Sequence, residues 1–326
     1  MGKLLRPETG RSRPSPASIT SRLLWSCPLV CHLPSDPHIA AAPAPTGLQR
    51  ARLPAYLKAS IACHAGAGIA VALAPAAWPW ALGAVAANHL AITAAGLWPR
   101  STWLGPNLTR LPLAARARSE VAITVDDGPD PEVTPAVLDL LDAGSARATF
   151  FVIAERAAKH ATLCRDIVRR GHSVQNHSDR HSHRFSLLGP AALAREIGAA
   201  QARLADITGE APTFFRAPAG LRNPFLAAVL ERLGLQLVSW TRRGFDTVRH
   251  EPATVLATLV RGLSAGDILL LHDGNAARSG AGRPIVLDVL PALLRRCHDA
   301  GLRTVTLPSA LDGRDAQVAP SQRVAA

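Results

Sequence analysis

Aromatic side chains are scarce in this chain: seven phenylalanines, six tryptophans and one tyrosine make up 4% of 326 residues. Single-stranded nucleic acid is held largely by stacking on aromatics, and sequence-reading modules carry recognisable spacings. No RNA-recognition motif, zinc-finger spacing or basic heptad is present, so no nucleic-acid partner is expected despite a net charge of +12. About half of that excess lies in residues 1–58, where eight Lys and Arg face only Glu8 and Asp36. The cysteines make no framework either: Cys27, Cys31, Cys63, Cys164 and Cys297 are an odd number. No disulfide is required. Cys27 and Cys31 read as two ordinary thiols in a Pro/Ser/Arg-rich stretch.

The most telling absence is of charge. Residues 59–99 contain no Asp, Glu, Lys or Arg, and Lys58 and Arg100 bracket them. A helix needs about 20 apolar residues to cross a bilayer, and Pro75, Trp78, Pro79 and Trp80 interrupt the run near its middle. The expected element is a membrane-spanning helical hairpin over 57–76 and 80–98, with membrane lipid as a partner. Gly66, Gly68, Gly83 and Gly96 permit close helix packing, and His64, Asn88 and His89 must face each other or water. The competing reading is an Ala-rich soluble helical pair. Arg50, Arg52, Lys58, Arg100, Arg110, Arg116 and Arg118 flank the hairpin on its outer ends. The positive-inside rule then puts the domain that follows in the cytoplasm if both helices span, and outside if only one does. The expected organisation is a disordered or mis-called leader over 1–55, the anchor over 56–99, a linker over 100–119, a folded domain over 120–312 and a disordered tail over 313–326.

From Glu120 the pattern changes to short apolar runs alternating with amphipathic stretches. Residues 121–126, 148–154, 172–177, 213–217, 236–240, 267–272 and 303–307 read as strands. Residues 134–143, 155–170, 190–208, 224–233, 252–264 and 284–300 read as helices, with Gly171, Gly209, Gly234 and Gly301 as stops and Thr134-Pro135 as a start. The alternation predicts a parallel α/β sheet, and seven repeats predict a distorted (β/α) barrel.

Reactive residues gather at the strand ends, the rim where such barrels work. Asp126 and Asp127 end the first strand before Gly128-Pro129, so one carboxylate can hold a metal while the other faces water if the strand stops there. His177 and His181, at i and i+4, can present both imidazoles on one face of a helical turn, as in zinc sites. Two His and one Asp leave a coordination position open, the mark of a hydrolytic rather than structural zinc. Arg216 ends an apolar strand, and His272 ends another, where an imidazole suits the general acid that an amine leaving group needs.

This set resembles the polysaccharide deacetylase family, the NodB-homology carbohydrate esterases, over roughly 120–312. Thr124–Gly128 is similar to that family's T-F-D-D-G motif, with Val125 in place of Phe; His177–His181 matches H-S/T-x-x-H; Arg216 and Pro218 match R-x-P-Y; Leu270–His272 matches L-x-H. The resemblance implies a zinc-dependent hydrolase that removes an N-acyl group from an amino sugar, in a glycan or a lipid-linked saccharide. It further implies Asp126 as base, Asp127, His177 and His181 as metal ligands, Arg216 orienting the base and His272 as acid, with Asp246 expected to orient His272. Pro218, Ala219, Trp240 and Arg243 are expected to line the substrate groove. Two departures stand out: Ala219 occupies the family's Tyr position, and Arg243 and Thr247 replace Asp and Trp of a D-x-x-D-W segment. Arg242 and Arg243 suggest an anionic group on the substrate. The departures also motivate an alternative, a non-catalytic, membrane-anchored sugar-binding protein on the same scaffold.

Overall fold

The structure, a computed structural model, describes residues 54–312. The expected leader up to residue 53, with Cys27 and Cys31, and the expected tail from residue 313 lie outside the described residues. The chain begins with a hairpin of α1 (Ala55–Leu73) and α2 (Trp78–Leu97), joined through a single 3-10 turn at Pro75–Ala77. A short α3 (Leu113–Ala117) follows. Then come β1 (Glu120–Asp126), α4 (Thr134–Ala143), β2 (Ala148–Val152), α5 (Ala154–Lys159), α6 (Ala161–Arg169) and β3 (Ser173–Asn176). The second half holds α7 (Pro190–Thr208), β4 (Phe214–Phe215), α8 (Leu226–Arg232), β5 (Gln236–Leu237), β6 (Arg242–Arg243), α9 (Pro252–Val260), β7 (Ile268–His272), α10 (Ile285–Asp299), β8 (Arg303–Thr304) and α11 (Leu307–Asp312).

The strands form one parallel sheet in the order β5-β4-β3-β2-β1-β7-β6, with β8 added beside the start of β1. The expected distorted barrel of about seven strands is what forms. β1 and β7 are buried at every residue, as strands covered on both faces must be. Their alternate residues serve different layers. Val121, Ile123, Val125, Leu269 and Leu271 pack under the outer helices, whereas Ala122 and Ile268 join Phe151, Phe214 and Val238 inside the curl. The same alternation turns Thr124 and Asp126 inward.

Several boundaries differ from expectation. The predicted 155–170 helix is two, because His160 leaves helical geometry (φ −131°, ψ 45°) between α5 and α6. The start of α5 donates Ala154 N–H and Glu155 N–H to the carbonyls of Ser178 and Asp179, so its direction is set by the loop beside it. Thr134 is the first helical residue of α4 rather than its cap, and its hydroxyl donates to Asp273 at 2.5 Å instead. β6 carries two arginines and no apolar signal, which is why the sequence shows no strand there. The expected stops do work as stops: Gly171, Gly209, Gly234 and Gly301 all have positive φ.

β5 and β6 do not pair. The segment leaving α2 fills that seam: Leu108 N–H donates to Leu237 O at 2.9 Å, Ser239 N–H to Leu108 O at 2.9 Å, and Leu111 N–H to Gly266 O at 2.8 Å. Between the hairpin helices, His64 Nε2 and His89 Nε2 meet at 3.2 Å and Asn88 Nδ2 donates to Ser60 Oγ at 2.8 Å. These groups face each other as expected.

Candidate active site

β1 stops at Asp126, and Asp127 turns off the strand with φ +73°. That single left-handed residue lets two neighbouring carboxylates face one cavity, which continued strand geometry forbids. Across the sheet, the parallel register places His272 directly opposite Asp126.

Asp126 is engaged by a buried cation. Arg216, 1% exposed, donates Nη1 to Asp126 Oδ1 at 2.6 Å and to Thr124 Oγ1 at 2.8 Å. Its Nη2 and Nε donate to the carbonyls of Ser239 and Val238 at 2.9 and 3.3 Å, and the guanidinium lies 4.0 Å from the Phe151 ring centroid. Burial pulls the Arg216 pKa down while Asp126 opposes the shift.

His177 and His181 do not sit on a helical turn, as their spacing suggested. They lie in the loop after β3, shaped by left-handed Ser178 (φ 68°) and His181 (φ 53°). Asn176 Oδ1 accepts Ser178 N–H at 2.9 Å and Ser178 Oγ accepts His181 N–H at 2.9 Å, so short polar side chains replace helix bonds. The rings still converge, with centroids 4.9 Å apart.

His177 Nδ1 is 2.8 Å from Arg216 O, an acceptor only, so the ring proton is there and Nε2 carries a lone pair. That Nε2 faces Asp127 Oδ1 at 3.2 Å, and His181 Nε2 faces the same oxygen at 3.2 Å. Asp127 Oδ1 is buried and has no hydrogen-bond donor. Three potential ligand atoms, all within 4.8 Å of one another, fit a divalent cation. Burial and the neighbouring His177 push the His181 pKa down to about 4, keeping its ring neutral near pH 7. For Asp127, burial pushes upward, but in the acid range, where the histidines are protonated, a hydrogen bond from His177 and the charges of His177, His272 and His181 prevail and hold the carboxyl well below its usual range.

On the other side, His272 Nδ1 lies 2.9 Å from Asp246 Oδ1, and His272 N–H donates to Asp246 Oδ2 at 2.7 Å. Asp246 is fully buried. Burial lowers the His272 pKa, but Asp246 outweighs it and the net shift is upward.

Sequence reasoning missed two residues. Asn275 Nδ2 donates to Asp127 Oδ2 at 3.1 Å, and Arg156 donates to Asp127 O at 2.8 Å and Asn275 Oδ1 at 3.1 Å. The only local signal is the Gly274-Asn275 dipeptide, whose Asn takes φ +58°. At the rim, Pro218, Ala219 and Gly220 form a tight turn with Ala219 at φ +54°. Trp240 is buried, and Arg243 stacks on Trp240 and Phe245 at 5.4 and 5.1 Å. Arg242 is tied instead to Asp267 and to the carbonyls of Arg261 and Gly262.

A parallel α/β half-barrel with an Asp-His-His set between a carboxylate–arginine pair and a histidine–carboxylate pair defines a hydrolase scaffold. A model of the polysaccharide deacetylase family matches residues 114–238. A peptidoglycan-N-acetylglucosamine deacetylase of Bacillus cereus is 32% identical over 212 residues, covering 64% of this chain and 92% of that protein. A chitooligosaccharide deacetylase of Azorhizobium caulinodans is 34% identical over 158 residues, covering 48% and 75% respectively. The solved Bc1960 peptidoglycan N-acetylglucosamine deacetylase superposes with a TM-score of 0.57 at 26% identity, covering 63% of this chain and 92% of that one. The chain belongs to the polysaccharide deacetylase family. It is an amidohydrolase acting on carbon–nitrogen bonds other than peptide bonds.

Proposed function

We propose that this protein removes the N-acetyl group from N-acetylglucosamine-type residues of a saccharide, using a zinc ion held by Asp127, His177 and His181. The observation that carries the reading is the convergence of two imidazole nitrogens on a buried carboxylate oxygen that has no donor among the described residues. A divalent ion held by Asp127, His177 and His181 would supply Lewis acidity toward an acyl carbonyl and an attacking water. Asp126, fixed by Arg216, takes a proton from the attacking water. His272, held in one orientation by Asp246, gives its proton to the departing amine nitrogen. Asn275 donates to Asp127 Oδ2, and Arg156 holds both the Asp127 backbone carbonyl and the Asn275 amide, so that Oδ1 stays turned to the histidines. Pro218, Ala219, Trp240 and Arg243 bound the saccharide groove in this reading, and Ala219 presents a small side chain there.

The hairpin serves as a membrane anchor. Its helices of 19 and 20 residues are about 28 and 30 Å long at 1.5 Å per residue, close to hydrocarbon thickness. Ile61, Ile69, Leu73, Leu82 and Leu90 are exposed along it, and Trp78, Trp80 and Trp98 mark its ends. With both helices spanning, the basic outer flanks favour the catalytic domain on the cytoplasmic side; with only one spanning, it faces outward.

The test is acetate release from N-acetylglucosamine oligomers by the zinc-loaded full chain in detergent, beside an Asp126→Asn variant. Release abolished in the variant supports the assignment; zinc binding without turnover of any N-acyl sugar supports the binding-only alternative.

A further inference from the structure

The hairpin does not hang from the catalytic domain on a free linker; its exit is built into the wall of the site. Gly96 O accepts Arg222 N–H at 3.1 Å, and a Cβ at Gly96 would stand 2.4 Å from the Arg222 carbonyl oxygen. Tyr56, in the first turn of α1, donates to Pro224 O at 2.9 Å, so both ends of the hairpin rest on the same loop. Pro99, just past α2, accepts Ser239 Oγ at 2.6 Å through its carbonyl. Its ring presses on the turn that carries Ala219: a Cβ at Gly220 would stand 2.8 Å from Pro99 Cβ and 2.7 Å from the Trp240 ring. Trp240 in turn lies between two guanidinium groups, Arg216 at 6.0 Å and Arg243 at 5.4 Å. A continuous line of contacts, Pro99–Gly220–Trp240–Arg243, therefore joins the hairpin to the flank of the catalytic centre.

The cation at the end of this line is unpaired. Among the described residues the Arg243 side chain has no hydrogen bond or ion pair, and its Nε is buried without an acceptor. Arg242 beside it shows what a structural arginine looks like here, tied to Asp267 and two carbonyls. Arg222 at the hairpin root, 5% exposed, bonds only to the carbonyls of Trp98 and Ser101 and leaves Nε and Nη1 unsatisfied, with no carboxylate partner. A buried guanidinium nitrogen without an acceptor is costly, and the forked geometry of the group suits phosphate.

A neutral glycan strand brings no anion to this edge. A sugar joined to a membrane lipid through phosphate brings one between the sugar and the bilayer, and Arg243 stacks on Trp240, the residue that touches both Arg216 and the turn under the hairpin exit. Resting on the deacetylase reading, we infer that the substrate is an amphiphilic, phosphate-linked N-acyl saccharide drawn from the membrane. Its sugar enters between Asp126 and His272, and its phosphate lies on Arg243.

The test uses the zinc-loaded full chain in phospholipid vesicles with three probes. These are polyprenyl-diphosphate-linked N-acetylglucosamine in the same vesicles, soluble N-acetylglucosamine 1-phosphate, and neutral N-acetylchitotriose. The expected result is a kcat/KM for the lipid-linked probe at least about tenfold above either soluble probe. Arg243→Gln is expected to cut that preference by about tenfold or more, and Arg243→Lys by less, because the charge remains while the fork is lost. Equal turnover of the neutral oligomer, or a preference untouched by Arg243→Gln, overturns the inference and leaves the deacetylase reading intact. Equal turnover of the soluble sugar phosphate overturns its membrane component. Failure to turn over any probe refutes the deacetylase reading itself, and this inference with it.

Discussion

His177 Nε2 and Asp127 Oδ1 face each other at 3.2 Å, and in the neutral ring no proton lies between them, because His177 donates its one ring proton to Arg216 O. Two lone pairs held this close in a buried site call for a cation. Dialysis against a chelator is expected to abolish activity, and zinc to restore it. Zinc at a hundred times its dissociation constant should stabilise the fold by about 2.7 kcal/mol, read as a rise in Tm, and the His177→Ala variant should show neither effect.

Asn275 holds the other oxygen of the same carboxylate. Removing that donor frees Asp127 to rotate without deleting a ligand. Asn275→Ala is expected to weaken zinc affinity by about 10–100-fold, measured by competition with a chromophoric chelator. Unchanged affinity would show that Arg156 and the backbone hold Asp127 alone.

Asp126 and Arg216 separate chemistry from folding. Asp126→Asn is expected to lower kcat by about 10²–10⁴-fold while zinc binding persists. Arg216→Ala leaves a buried carboxylate alone and should cost about 3–5 kcal/mol in denaturant unfolding, so its loss of activity accompanies a lower unfolding midpoint.

The pH profile should report His272. Burial alone would pull its pKa below the ordinary 6.5, but Asp246 more than compensates and raises it. A raised value keeps the ring protonated above pH 6.5, so the alkaline fall in kcat should lie above that pH, and Asp246→Asn should shift it downward. Stability follows the same sign. The pair's contribution is complete below about pH 6.5 and is lost as pH rises through the folded-state value, which urea midpoints measured across that range will show.

Much of the site was legible because its parts are local. Asp126-Asp127, His177–His181, Arg216 and His272 stand at the ends of apolar runs, and parallel pairing brings strand ends to one rim. The hairpin was legible for a similar reason, since forty-one consecutive uncharged residues are a one-dimensional property. Helix stops such as Gly209, with φ +76°, are set by the residue itself.

Other features have no such local signature. The loop that folds His177 toward His181 depends on Asn176 and Ser178 side chains taking the place of helix bonds. Asn275 reaches Asp127 across 148 positions, and the Leu108 segment reaches β5 to fill a seam, without leaving any period in the chain. β6 pairs through backbone groups, which carry no record of their two arginine side chains. The sequence by itself determined which residues could do the chemistry and where the apolar runs lie, because charge and burial preference belong to each side chain. Only the tertiary structure decided that Pro99 touches Gly220 and that Arg243 meets no acid among the described residues, because long-range contacts and unmet hydrogen bonds exist only once the chain has closed on itself.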